Sequence, residues 1–414
     1  MLKEFKPILK NKNFLYLWTS QFFSQLAINI MNFVFLIRLF EKTESAIATS
    51  FLWVAYSLPA ILIGPVASAS VDILDRKRML VITNLLQSLT IFLFAIFHGS
   101  RIFLIYEVVF VYSLLNQFYV PAESASLPSV VNKKHLAQAN SLFFLTMQGS
   151  VVVGFGVAGL IKQLLGFETT LILCSSFLLI AFISTLLLPK LFEGSFIKTD
   201  IESAISIFFS KIIDGYKFIK KERKVLAPFL LMFFFQIALQ VILVEVPVIA
   251  KNLFQLPLNS AGIFIFVPAA TGAFIGALSL PKLIKKGWRK KKIIENSLIA
   301  ISLLIFTISY IIPYLHYTAK IIFSFISIVL LGYSFVSVII PSQTLIQEST
   351  PKDLLGRVFG NFWFLATIAS VIPVVFSGTI VELFGVRLLL FTFSILFIGV
   401  YITSRYYGDK FLQG

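Results

Sequence analysis

Two acidic residues lie inside long apolar stretches of this chain, where an ionisable side chain is costly to hold. Glu107 follows Arg101 by six residues, and Glu245 precedes Lys251 by six residues. At 1.5 Å per helical residue, each carboxylate would lie about 9 Å from the cation at its helix end. A carboxylate at this depth can take up and release a proton, so both are candidates for proton coupling. The alternative for each is an ion pair with the neighbouring cation at the rim.

Amide side chains form a polar stripe along the first apolar stretch and a shorter stripe along the seventh. The stripes consist of Gln21, Gln25, Asn29 and Asn32 in the first stretch, and of Gln236 and Gln240 in the seventh. The first four fall within about 80° of one another at 100° per helical residue. A polar stripe among apolar residues faces either a water-filled cavity or a neighbouring helix. We predict that the stripes line a cavity, with hydrogen bonds between helices as the alternative.

A cluster of charges separates the second apolar stretch from the third. Its members are Asp72, Asp75, Arg76, Lys77 and Arg78. The carboxylate of Asp72 stands four residues before a run of three cations. Such a loop can contact the ends of neighbouring helices and hold one conformation closed. We predict a gating loop, with a merely solvated loop as the alternative.

The chain carries no sequence pattern typical of a catalytic, metal or nucleotide site. Its one cysteine, Cys174, lies in an apolar stretch, which excludes disulfides and thiolate metal sites. The three histidines are scattered without metal-ligand spacing, and the phosphate-binding loop GxxxxGK[ST] does not occur. We therefore expect no metal, no cofactor and no enzymatic activity.

The composition indicates that lipid is the solvent for most of the chain. Hydrophobic residues make up 58% of the sequence and charged residues 13%, with a mean hydropathy of +0.93. A soluble protein of this length carries roughly a quarter charged residues. A bilayer-spanning helix needs about 20 mostly apolar residues. Twelve stretches reach this length, at residues 14–38, 46–71, 79–98, 102–121, 138–165, 168–188, 226–250, 259–283, 293–313, 318–341, 356–382 and 385–407.

The basic residues predict the orientation of these spans. With both termini in the cytoplasm, the outer ends hold only Arg38, Lys42, Arg101, Lys162, Lys251, Lys320 and Arg387. The remaining 28 of the 35 basic residues then lie on the inner side, as the positive-inside rule requires. The net charge of +16 is thus explained by contact with anionic inner-leaflet lipid in the plasma membrane, without a nucleic-acid partner.

A weak internal repeat divides the twelve spans into two sets of six. At a shift of 219 residues, Gly159–Gly166 falls on Gly378–Gly385, and Lys133–Ala137 falls on Lys352–Gly356. Parallel six-helix repeats are typical of transporters whose substrate path lies between the repeats. We predict an N-terminal half at 1–188, a cytoplasmic amphipathic linker at 189–225 and a C-terminal half at 226–414.

The charged loop and its surroundings resemble a known family. Gly64 and Pro65 precede Asp75-Arg76-Lys77-Arg78, and the run Thr350–Gly360 lies before the eleventh span. These motifs resemble the major facilitator superfamily, and in detail its drug:proton antiporter branch of macrolide-efflux and siderophore-exporter proteins. The resemblance implies an all-α membrane protein of twelve helices in two repeats, with helices one, four, seven and ten around the cavity. It also implies a monomer that exports amphiphilic small molecules in exchange for protons by alternating access.

One position departs from the antiporter pattern. The run Gly154–Gly159 carries Phe155 where the branch has proline. This departure leaves open an importer or a lipid transporter of the same fold. A membrane enzyme or scramblase is the remote alternative, since only Glu107 and Glu245 would support it.

Overall fold

The computed structural model describes residues 2–71, 74–99, 101–191, 201–351 and 354–411. The predicted gating residue Asp72 lies outside these ranges. The chain divides into two compact units, one made of Met1–Lys42 with Phe51–Phe209 and the other of Thr43–Ser50 with Ser210–Gly414. The predicted domain boundaries at 188 and 225 stay predictions.

Fourteen α-helices make up most of the described chain. The helices up to residue 221 are α1 Leu2–Leu9, α2 Lys12–Thr43, α3 Ala46–Ser70, α4 Arg76–Phe97, α5 Leu104–Val130, α6 Leu136–Leu165, α7 Phe167–Leu186 and α8 Ile201–Lys221. The later helices are α9 Arg223–Ile249, α10 Leu258–Lys285, α11 Lys290–Phe306, α12 Tyr317–Ser349, α13 Leu355–Phe384 and α14 Val386–Phe411. Single π-helical turns extend α9 over Ala250–Phe254 and α11 over Thr307–Ile311.

Eleven of these helices are long and apolar enough to cross a bilayer, judged on the described residues. They are α2, α3, α4, α6, α7 and α9 to α14. With 27 residues, α5 is about 40 Å long, but Glu107, Asn116 and Gln117 lower its hydropathy. The predicted class, an all-helical membrane protein, is confirmed, whereas the number of twelve spans stays a prediction.

Paired serines join α4 to α7 and α11 to α14 in the same way. Ser88 Oγ of α4 donates to the Ser175 carbonyl of α7 at 2.9 Å, and Ser175 Oγ donates back at 3.0 Å. Ser302 of α11 and Ser394 of α14 make the same reciprocal pair, at 2.8 and 3.0 Å. Small hydroxyl residues let helix backbones approach closely in lipid. Ser175 and Ser394 are 219 residues apart, which is the shift of the sequence repeat.

Two glycines make matching connections between consecutive helices. Gly166 joins α6 to α7 with φ of 84°, and Gly385 joins α13 to α14 with φ of 83°. Side-chain-bearing residues rarely adopt this left-handed region. Each glycine N–H donates at 2.9 Å to the carbonyl four residues earlier, of Lys162 and of Val381. These glycines are also 219 residues apart.

A glycine motif brings α10 and α12 into backbone contact. Gly272 and Gly276 form a GxxxG pair on α10, a spacing typical of tight helix packing in membranes. A Cβ atom at Gly272 would overlap the carbonyl oxygen of Val329. On α12, a Cβ atom at Gly332 would overlap the carbonyl oxygen of Ala269 in the same way. The two helices therefore tolerate no side chain at either contact.

The short connection between α2 and α3 packs within the second unit. Glu44 adopts a left-handed φ of 51°, and its carboxylate accepts a hydrogen bond from Lys251 Nζ at 2.7 Å. This bond and the charge of Lys251 lower the pKa of Glu44 below its ordinary value. The Glu382 carboxylate accepts from Ser45 Oγ at 2.6 Å and from the Ile47 N–H at 3.2 Å. It thereby satisfies a donor in the first turn of α3 and places a negative charge at that positive helix end.

The helix α8 occupies the predicted linker and docks on α13. Asn361 Nδ2 of α13 donates to the Ile212 carbonyl at 2.9 Å, and Arg357 Nη1 lies 3.3 Å from Asp214 Oδ2. Gly215 lies directly against Asn361, where a Cβ atom would overlap the amide. The predicted position of this helix on the inner membrane surface stays a prediction.

Candidate functional site

Glu245 of α9 is a fully buried carboxyl group with a hydrogen bond to one of its two oxygens. Ser377 Oγ of α13 donates to Oε1 at 3.1 Å, and Oε2 has no hydrogen-bond partner among the described residues. The side chain is 0% exposed. Lys251, the expected rim partner, pairs with Glu44. A buried carboxylate with a single donor is costly, whereas a neutral carboxylic acid is tolerated at such a site.

The backbone of α9 becomes irregular shortly after Glu245. Pro247 lies two residues later in α9, and a π-helical turn at Ala250–Phe254 follows. Proline cannot donate a backbone hydrogen bond and clashes with the preceding turn, so helices adjust near it. Turns of π-helix inside α-helices occur frequently at functional sites.

Glu107 of α5 lies in an apolar groove between α3 and α5 within the first unit. The groove measures about 650 Å³. Besides Glu107, it is lined by Phe51, Val54, Ala55, Leu58, Phe103, Tyr106, Phe110 and Val111. Glu107 makes no hydrogen bond or ion pair with any described residue, so the alternative of a rim ion pair with Arg101 is not formed there. An unpaired carboxylate among aromatic rings suits a cationic ligand, because rings and carboxylate both attract positive charge.

The amide stripe of α2 meets α6 at two points. Gln21 Nε2 donates to the Phe143 carbonyl at 3.2 Å. Asn29 Nδ2 donates to the Gln25 carbonyl of its own helix at 2.7 Å, and its Cβ lies where a side chain at Gly154 would need to go. Both side chains are buried. These contacts favour the alternative of helix packing for Gln21 and Asn29.

The remaining amides are half-buried. They are Gln25 and Asn32 on α2, and Gln236 and Gln240 on α9. Oδ1 of Asn32 is shielded and has no hydrogen-bond partner among the described residues. The assignment of these four to a cavity stays a prediction.

A buried polar network around Glu123 was missed by the sequence reasoning. Tyr119 Oη donates to Glu123 Oε1 at 2.7 Å, both residues lying on α5. Ser20 and Ser24 of α2 hydrogen bond to Tyr119 Oη at 3.0 and 3.2 Å, and Asn84 Nδ2 of α4 donates to Ser20 Oγ at 3.1 Å. Glu123 is 5% exposed. The first unit thus also contains a buried carboxyl group, held by a hydroxyl and not by a cation.

The charged loop between α3 and α4 begins α4 with a capping carboxylate. Asp75 Oδ1 accepts from the backbone N–H groups of Lys77 at 2.9 Å and Arg78 at 3.2 Å. The Arg78 side chain is exposed and lies 3.8 Å from Asp75 Oδ2. Of the predicted gating residues, Asp75 therefore acts locally as an N-cap.

Two cations of the same loop reach other helices of the first unit. Arg76 Nη1 donates to the Ala125 carbonyl of α5 at 2.8 Å, and Lys77 Nζ donates to the Leu188 carbonyl after α7. Both carbonyl groups lie near the C-terminal end of a helix, where the helix dipole favours positive charge. The loop therefore connects the ends of three helices. Gating by these residues stays a prediction.

Comparison with known proteins identifies the family. The family model of the Major Facilitator Superfamily matches residues 17–374. The chain belongs to the major facilitator superfamily. It is therefore a multi-pass membrane transporter and not an enzyme, as the resemblance of its motifs implied.

Relatives cover almost the whole length of the chain. An uncharacterized MFS-type transporter of Bacillus subtilis, YfiS, is 23% identical over 388 residues, which is 92% of this chain and 90% of YfiS. Macrolide efflux protein A of Streptococcus pyogenes is 22% identical over 379 residues, which is 90% of each chain.

Solved structures share the fold at lower sequence identity. The nucleoside transporter NupG has a TM-score of 0.70 at 14% identity, covering 94% of this chain and 98% of NupG. A peptide transporter POT solved in complex with sulfate has a TM-score of 0.70 at 12% identity, covering 97% of this chain and 95% of the transporter. At these identities the likeness concerns the fold alone.

Proposed function

We propose that this major facilitator protein exports amphiphilic small molecules in exchange for protons. Transport proceeds by alternating access of two six-helix repeats, with α5 as the twelfth span. Two pairs of features support the repeats: the serine pairs Ser88–Ser175 and Ser302–Ser394, and the left-handed glycines at 166 and 385.

The observation that carries the proposal is the environment of Glu245. Its carboxyl group is fully buried, has one donor in Ser377 and has one oxygen without a partner among the described residues. Such a group is stable when protonated and must gain water or a cation before it ionises. Proton release would therefore accompany a change in its surroundings, which is what coupling requires. Glu123, held by Tyr119, is a second coupling candidate.

The cargo class follows from the groove at Glu107. A ligand for an aromatic-lined groove with one unpaired carboxylate carries a large apolar body and one positive charge. The similarity to macrolide efflux protein A also supports export of a bulky amphiphile. On this reading Glu107 serves cargo binding in addition to, or in place of, the predicted proton coupling.

The variant Glu107→Gln tests the cargo assignment. A charge-assisted contact is worth about 1.5–3 kcal/mol, so we expect the KM for a permanently cationic dye to rise about tenfold or more. Transport of a neutral amphiphile of similar size should change little, because the apolar lining is intact. The measurement is uptake into proteoliposomes with both cargoes. Equal effects on the two cargoes would contradict a role in binding charge.

Direction is tested in whole cells and in vesicles. Cells that express the protein should accumulate less ethidium than cells with an empty vector, and a protonophore should abolish the difference. Greater accumulation in expressing cells would select the importer. That alternative has one observation in its favour: Phe155 replaces proline, and α6 runs unbroken from Leu136 to Leu165 while Phe155 packs on Phe33 at 5.3 Å.

The membrane topology can be mapped because the only cysteine, Cys174, is buried. In a Cys174→Ala background, Lys286→Cys after α10 should react with a membrane-impermeant maleimide only in inside-out vesicles. Tyr317→Cys at the start of α12 should react only from the outside of intact cells. The reverse labelling pattern would overturn the proposed cytoplasmic termini.

A further inference from the structure

An apolar groove runs along the second unit between α9, α11 and α14. It measures about 700 Å³ and is lined by residues within 226–235 of α9 and 395–404 of α14, with Ile294 and Leu298 of α11. Among the described residues that line it, the two with hydroxyl side chains, Thr403 and Ser404, lie at one end. The groove does not include Glu245 or Ser377 and is separate from the coupling site.

The length of the groove matches one leaflet of a bilayer. The lining residues span nine helical steps on α9, from 226 to 235, and nine on α14, from 395 to 404. At 1.5 Å per residue, the groove is about 14 Å long. Half of a hydrocarbon core of about 30 Å is about 15 Å. The groove is therefore about as long as one leaflet is thick, which is the reach of one extended acyl chain.

The polar end of the groove is cationic on all three helices. The sequence begins α9 with Arg223 and Lys224, begins α11 with Lys290–Lys292, and places Arg405 directly after the last lining residue of α14. Tyr406 beside it is 84% exposed, as expected of an aromatic residue at the lipid headgroups. The headgroup layer of the leaflet therefore meets a basic patch at this end.

Side-chain contacts hold part of this patch in place. Ser404 Oγ of α14 donates to Glu295 Oε1 of α11 at 3.2 Å, and Lys291 Nζ lies 3.8 Å from the same oxygen. Arg405 Nη1 donates to Tyr401 Oη at 2.7 Å. By sequence, six basic residues lie at these helix ends: Arg223, Lys224, Lys290, Lys291, Lys292 and Arg405. The acidic residues there are Glu222, Glu295, Asp409 and Glu348, which pairs with Lys290, so an excess of positive charge remains for an anionic headgroup.

We propose that this groove is a binding site for an anionic phospholipid. One acyl chain fills the groove, and the phosphate is bound by Lys224, Lys291 and Arg405. The predicted topology assigns this end to the cytoplasmic leaflet, where anionic lipid is concentrated. A bound lipid there would brace α9, the helix that carries Glu245, against α11 and α14.

The experiment uses the purified full chain in liposomes that contain a photoactivatable phosphatidylglycerol with a diazirine in its acyl chain. We expect cross-links in the peptides of α9 and α14 that line the groove. Phosphatidylcholine with the same acyl probe should cross-link there about tenfold less, because its headgroup carries no net charge. The triple variant Lys224→Gln, Lys291→Gln, Arg405→Gln should reduce the yield with phosphatidylglycerol to that of phosphatidylcholine.

Two controls separate the groove from general attraction to a basic protein. The matched triple variant Lys282→Gln, Lys285→Gln, Lys286→Gln removes equal charge from the end of α10 outside the groove and should leave the cross-links unchanged. Gly399→Leu should abolish them, because a side chain at Gly399 enters open space in the groove and meets no atom within 4 Å. Equal labelling by both lipids, or full labelling of Gly399→Leu, would overturn the proposal. A dimer that excludes the probe from this face would also overturn it.

Discussion

Replacing Glu245 with glutamine is expected to abolish proton-driven transport while leaving the protein folded. Glutamine mimics the protonated acid in size and still accepts a hydrogen bond from Ser377, which now donates to Glu245 Oε1 at 3.1 Å. The free energy of unfolding should therefore change by less than about 1 kcal/mol. Glutamine cannot release a proton, so uptake driven by a pH gradient should fall to the level of liposomes without protein.

Exchange of labelled for unlabelled cargo should persist in Glu245→Gln, because exchange needs no net proton movement. The matched control is Glu348→Gln, which alters an exposed carboxylate of the same unit that pairs with Lys290 at the surface. Its uptake should equal that of the wild type. Undiminished pH-driven uptake in Glu245→Gln would refute the coupling role of Glu245.

Replacing Gly272 with leucine is expected to cause the largest loss of stability. A side chain there would overlap the Val329 carbonyl oxygen. Moving α10 away from α12 to make room would also break the close contact of Gly332 with Ala269. Overpacking a tight interface costs about 1–3 kcal/mol, and a backbone contact on both helices should bring the cost to about 3 kcal/mol or more. Thermal unfolding of the purified protein, followed by tryptophan fluorescence, measures the loss.

Gly360→Leu on α13 is the control for that substitution. The chemical change is identical, but a Cβ atom at Gly360 meets nothing within 4 Å. Its melting temperature should lie close to that of the wild type, since such surface substitutions usually fall within about 0.5 kcal/mol. Similar melting temperatures for the two variants would mean that the α10–α12 contact does not limit stability.

The class of the protein was predictable because each helix that spans a bilayer needs about 20 mostly apolar residues, a pattern that is visible in the sequence. Long apolar stretches and the charged loop predicted a helical transporter of the major facilitator superfamily, and the family comparison confirms it. The GxxxG motif at Gly272 and Gly276 was not used as a prediction, although its spacing is typical of tight helix packing in membranes. Its partner Gly332 carries no such signal, because helix pairing between distant segments leaves no local pattern.

The helix α5 is longer than the predicted span. That span ended at residue 121, which left Glu123 outside it. In the structure α5 continues through Pro121 to Val130, and Glu123 is buried beside Tyr119. Proline is tolerated within membrane helices because neighbouring groups satisfy the backbone it frees. The carboxyl group was thus visible in the sequence, but its burial was not.

Periodicity predicted which residues share a face, but not what that face contacts. The spacing predicted one polar side for α2, and there Gln21 and Asn29 meet α6 through Phe143 and Gly154. Likewise, the spacing between Glu245 and Lys251 predicted only a depth for Glu245. Its partner Ser377 lies 132 residues away and is brought close only by the packing of α9 on α13.

The most direct test of proton-coupled export is proton movement driven by cargo alone. Proteoliposomes that enclose a pH-sensitive dye are given a gradient of ethidium with no initial pH gradient. For the wild type we predict that protons move against the direction of cargo flow, at a rate that rises with the cargo gradient, and that Glu245→Gln moves none. Cargo flow in the wild type without any proton movement would contradict the proposed mechanism.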